Sequence, residues 1–306
     1  MTVRSISLRG WGRLPNAVRE AAAGYLFISP WLLGFVAFSL MPILAVFYLG
    51  FTDYDIVGRA TWAGLANYRK AALEDPLSRL ALSNTFYYVG LRVPVHIALG
   101  LGLAMLLNCK LPGIHIFRAA IYLPSVLPIV GAAVIWAWIL SPRMGVLNQL
   151  LDMVGLSGSN WLGREALAKP TMVFISLYHV GTIMMIFLAG LQNIPLHLYE
   201  AAEIDGASSF QRLWSVTIPM MTPTIFLNLV MDIINSFQVI IYALLLTQGG
   251  PVNSTLFLVL YIYRSAFQLF EMGYASTLAT VLFLIIVALT LPLFWTSDTW
   301  VQYEQV

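Results

Sequence analysis

Asn228, Asp232, Asn235 and Val239 recur at spacings of four, three and four, with Ser236 and Gln238 beside them. On a helix of 3.6 residues per turn these spacings put the four on one face. Carboxylates and amides bind hydroxyl groups well, because a carboxylate accepts several hydrogen bonds and an amide donates and accepts at once. A carboxylate inside hydrocarbon costs on the order of 2.5–3.5 kcal/mol on insertion scales, so Asp232 is expected to face a polar cavity or a partner. Arg92 is a second charge within apolar sequence; it could neutralise an acidic partner or read an anionic solute. A second constellation spans 200–219. Glu200, Ala201, Ala202, Glu203, Asp205 and Gly206 set three carboxylates and two small residues side by side, and Pro219 closes the stretch. The alanines let another surface approach closely, while the carboxylates must face water or protein.

The elements that carry these groups are read from composition and run length. The chain is 59% hydrophobic and 10% charged, and its mean hydropathy is +0.82. Runs of about 20 apolar residues suffice to cross a hydrocarbon core. Six are expected, near Gly24–Phe51, Asn84–Asn108, Phe117–Leu140, Pro170–Asn193, Met220–Thr247 and Ala275–Thr296. The fold class is therefore an all-α membrane protein: residues 1–23 an amino-terminal tail, 24–297 the transmembrane domain, 298–306 a carboxy-terminal tail. The first run is too long for a cleavable signal peptide and lacks a small-residue cleavage site, so it reads as a retained span. Pro30, Pro42, Pro94, Pro124, Pro128 and Pro223 fall inside spans and remove backbone donors, so kinks are expected.

Several chemistries are disfavoured. Cys109 is the single cysteine, so neither an intramolecular disulfide nor a thiolate cluster can form. His96, His115, His179 and His197 lack the close pair spacing of a helix-borne zinc site, and no bound metal is expected. No glycine-rich phosphate loop occurs, so the chain is not expected to bind a nucleotide by that mechanism, and any ATP-driven work would fall to a partner. A net charge of +2 gives no electrostatic footprint for nucleic acid. Orientation does not follow from positive charge: Arg4, Arg9, Arg13 and Arg19 precede the first span, and Arg59, Arg69, Lys70 and Arg79 follow it.

In the loop 194–219, Pro195 suits a helix start, Leu196–Asp205 can form two to three turns, and Gly206 supplies a permissive break. A second short helix is expected from Ser208 to about Val216, ended by Pro219, which also opens the next span. Glu200-Ala201-Ala202, three residues, Gly206, nine residues, Val216, one residue, Ile218 and Pro219 resemble the signature loop of permease subunits of binding-protein-dependent ABC importers. Three further stretches are similar to the carbohydrate-uptake branch, the maltose-type and glycerol-phosphate-type permeases. They are Tyr25 to Pro30 with Pro42 and Phe51 to Tyr54; Gly64, Leu65, Asn67 and Tyr68 with Asn84 and Thr85; and Thr247 to Pro251 with Thr255.

The resemblance implies a coupling helix docked on a cytoplasmic ATPase, with ATP and Mg held by two partner ATPase subunits and no cofactor held by this chain. It implies a second homologous permease subunit, an extracytoplasmic solute-binding protein, a sugar as solute, and a prokaryotic plasma (inner) membrane with both termini cytoplasmic. The positions that line the sugar site in maltose-type permeases fall here at Asp232, Ser236 and Val239, and at Tyr178, His179 and Thr182 on the fourth span. Their residue types differ from the maltose pattern, which leaves the solute open. Three alternatives also stay open: an ABC importer of a non-sugar solute, an ion-coupled secondary transporter with Asp232 as carrier, and a membrane-embedded enzyme, for which Asp232, His179 and Arg92 show no diagnostic spacing.

Overall fold

The computed structural model describes residues 16–109 and 111–302. Most of the expected amino-terminal tail and the end of the carboxy-terminal tail lie outside them. Among the described residues five helices are long and apolar enough to cross a bilayer: Ala23–Leu49, Pro76–Leu107, Glu165–Gln192, Ser209–Phe237 and Met272–Trp300. A pair of shorter helices, Ile114–Val126 and Ile129–Ile139, supplies the sixth apolar segment and is bent by 99°. The all-α membrane class holds. A two-stranded antiparallel ribbon, with Thr52 opposite Trp62, is a small addition.

The bend corrects the expected continuous span Phe117–Leu140. Leu127 is extended, with ψ 138°, the conformation that a following proline enforces on the residue before it. Pro128 thus breaks its helix, whereas Pro94 and Pro223 sit inside unbroken ones. Pro42 and Pro219 are accommodated in a third way. Each follows a single wide π-turn, Val36–Leu40 and Leu213–Thr217, in which Met41 and Ile218 donate to carbonyls five residues back. The shift changes the bonding register just before the residue that lacks a donor.

Two other boundaries move. The second span begins at Pro76 rather than near Asn84, because Asp75 caps it: Asp75 Oδ1 accepts the Leu77 N–H at 2.8 Å. The fifth span begins at Ser209 and ends at Phe237, rather than running from Met220 to Thr247, because the expected second short helix continues through Pro219 without interruption. A separate turn, Ala243–Thr247, follows.

The second, fourth and fifth spans form the centre of the bundle, with Ala104, Met184, Phe187, Leu191 and Met221 packed together. Gly100 makes this possible: a Cβ there would stand 2.6 Å from Ile183 Cγ2. Small residues at such crossings let membrane helices approach closely. The first span buries none of its most apolar window within this chain.

Candidate functional site

Two i, i+4 pairs face each other across the second and fifth spans. Arg92 and His96 form one, Asp232 and Ser236 the other, and all four are buried. Arg92 Nη1 donates to Asp232 Oδ1 at 2.7 Å and also hydrogen-bonds Ser236 Oγ. His96 Nδ1 lies 3.0 Å from the same Oδ1, and Ser236 Oγ donates to the Asp232 carbonyl at 2.5 Å. Asp232 Oδ2 and His96 Nε2 are buried without a hydrogen bond among the described residues. The acidic partner expected for Arg92 is therefore Asp232, within the same chain. His96 was not anticipated; its spacing from Arg92 was the available signal.

A cavity of about 160 Å³ opens beside this cluster. The second span gives it Tyr88 and Arg92, the fourth gives Ser176 and His179, and the fifth gives Asn235, with Gln238, Val239 and Tyr242 just beyond it. His179 Nε2 lies 3.1 Å from Tyr242 Oη. Of the residues expected to line a solute pathway, His179, Asn235, Gln238 and Val239 meet here.

The single polar face expected on the fifth span is divided. Asn228, Asp232 and Ser236 form the buried ridge, whereas Asn235 lies one position off it and is exposed, as is Gln238. Val239 falls beyond the helix end, with Gln238 as its C-cap, so helical spacing does not place it. Asn228 donates to the Thr224 carbonyl of its own helix at 2.8 Å and does not reach the cavity. Thr182 is exposed on the fourth span. Tyr178 turns instead into an apolar cavity of about 270 Å³ beside the bend, walled by Leu127, Ala132 and Trp136, its hydroxyl without a hydrogen bond among the described residues.

The loop at 194–219 is built from local caps and turns. Helix Leu196–Ile204 starts after Pro195 and ends in a Schellman motif: the Gly206 N–H donates to the Glu203 carbonyl at 3.0 Å, and the Ala207 N–H to the Ala202 carbonyl at 2.9 Å. Gly206 adopts φ +75°, which glycine alone takes at no steric cost. Ser208 and Gln211 then form a reciprocal capping box that starts the long helix. Arg212 reaches back to Glu203 at 3.4 Å, and Tyr199 Oη meets Thr217 Oγ1 at 3.0 Å. Glu200, Ala201, Glu203 and Asp205 are exposed, and Ala202 is half-buried. Ile204, Phe210 and Trp214 stand out beside them, which makes an exposed surface both acidic and apolar.

Residues 96–298, two thirds of the chain, match the family described as binding-protein-dependent transport system inner membrane component. The chain belongs to that family of permeases. A probable ABC transporter permease of Bacillus subtilis, YesP, is 40% identical over 290 residues, 94% of each chain. The arabinooligosaccharides transport system permease AraP of the same organism is 35% identical over 276 residues, 89% of this chain and 87% of AraP. The solved bacterial alginate ABC transporter, in complex with its alginate pentasaccharide-bound periplasmic protein, contains a chain of the same fold. Its TM-score is 0.81 at 23% identity, covering 93% of this permease and 97% of that chain.

Proposed function

We propose that this permease is one translocating subunit of an ATP-driven importer that brings a carbohydrate into a prokaryotic cell by alternating access. One observation carries the reading: the unbroken helix Ser209–Phe237 begins at the exposed loop, bears Asn235 at the cavity, and holds the cavity-lining Arg92 through Asp232 and Ser236. Force applied at the loop therefore reaches the solute site through a rigid rod rather than a tether. The carbohydrate class draws support from relatives such as the arabinooligosaccharide permease.

In this reading Glu200, Ala201, Ala202, Glu203, Asp205, Gly206 and Pro219 belong to the coupling element. Helix Leu196–Ile204 docks on a cytoplasmic ATPase subunit, the pair of which holds ATP and Mg. Both chain termini then lie in the cytoplasm. A second homologous permease completes the pathway, which explains why Asn235, Gln238 and Thr182 face outward from this chain. An extracytoplasmic binding protein delivers the solute from the other side. His179, Asn235, Gln238 and Val239 contact the solute, while Asp232 and Ser236 hold Arg92 in place at the cavity wall.

Uptake by proteoliposomes that carry the assembled complex tests this. Accumulation of a carbohydrate that requires internal ATP and binding protein supports the reading. Accumulation driven by an ion gradient without ATP overturns it.

A further inference from the structure

Among the described residues Arg92 is the one charged residue that lines the 160 Å³ cavity, and no carboxylate lines it. Its counter-ion Asp232 does not line the cavity, and both of Arg92's recorded bonds, to Asp232 and Ser236, leave from Nη1. Nε and Nη2 make no hydrogen bond among the described residues, and neither belongs to the sealed, unpaired polar atoms. That edge of the guanidinium therefore remains open, with two parallel N–H donors in the fork that fits a carboxylate. The side chain cannot swing freely, because Asp232 and Ser236 fix its other end.

A neutral solute has no need of a cation held this way, and the expense of keeping one in the bilayer is considerable. The surrounding groups, Asn235, Gln238, Ser176 and the His179–Tyr242 pair, are suited to ring hydroxyls. We propose that the solute is an acidic carbohydrate, a uronate-bearing sugar whose carboxylate seats on the Nε and Nη2 edge of Arg92. This rests on the carbohydrate reading above and narrows it to a charge class.

Equilibrium binding to the detergent-solubilised complex, without binding protein, tests it. The probes are a glucuronate-containing disaccharide and the same disaccharide with its carboxylate reduced to an alcohol. Wild type is expected to prefer the acidic form by about tenfold or more, the worth of a charge-assisted pair. Arg92→Gln combined with Asp232→Asn, which removes both charges together, should bring that ratio to about one. Arg92→Lys, which keeps a cation but not the fork, should retain part of it. Equal binding of the two sugars by wild type overturns the proposal and leaves the carbohydrate reading standing. So does an unchanged ratio in the assembled double variant; if that variant does not assemble, the wild-type and Arg92→Lys ratios decide. Failure of the acidic sugar to bind wild type also overturns the proposal, and the carbohydrate reading falls with it only if no carbohydrate, acidic or neutral, stimulates ATP hydrolysis with binding protein present.

Discussion

Arg92 Nη1 lies 2.7 Å from Asp232 Oδ1, between residues 140 positions apart in the chain, and both side chains are almost wholly buried. Removal of one member of such a pair strands the other charge. Asp232→Ala is therefore expected to destabilise the permease by about 3–5 kcal/mol, and the neutral double variant by much less. Thermal unfolding of the two single variants and the double in detergent measures this. Additive losses would show that the pair is not coupled.

That contact was out of reach of sequence spacing, and the reasons are physical. The loop at 194–219 was legible because Glu200 to Pro219 is a local pattern whose caps and glycine act within a few residues. The polar residues of the fifth span were legible as a group, but their division into a buried ridge and an exposed edge depends on where the second span lies. The 99° bend depends on how Leu127 and Pro128 are combined, since prolines elsewhere leave helices whole. Thr182 and Tyr178 point where packing, not periodicity, directs them.

Gly206 holds φ +75°, which proline cannot adopt. Gly206→Pro should leave the protein inserted in the membrane but abolish solute-stimulated ATP hydrolysis, while Gly206→Ala should cost about 1 kcal/mol locally and reduce it. Membrane fractionation and ATPase assays check both. Full coupling in the proline variant would contradict the role given to the loop.

Gly100 faces Ile183 across the second and fourth spans. Gly100→Val is expected to destabilise by about 1–3 kcal/mol through overpacking, with partial rescue by Ile183→Ala. The unfolding midpoints of the single and double variants provide the check.

Asp75 lies outside the spans, where burial raises its pKa but hydrogen bonds from Tyr261, Tyr274 and the Leu77 and Ser78 backbone bring it below the ordinary 3.8. A depressed carboxylate adds stability that is complete above its unfolded value and is lost as pH falls through the folded one. Asp75→Asn should therefore unfold more easily at neutral pH, by about 1.5 kcal/mol, and the gap to wild type should close below pH 3.8. A gap that stays constant with pH would contradict this.

The most direct test of the central claim is the rate of ATP hydrolysis by the reconstituted complex, with binding protein present and with or without carbohydrate. The account predicts stimulation by a carbohydrate in wild type and its loss in Gly206→Pro. Hydrolysis indifferent to every carbohydrate, or solute transport that continues when ATP is withheld, would contradict it.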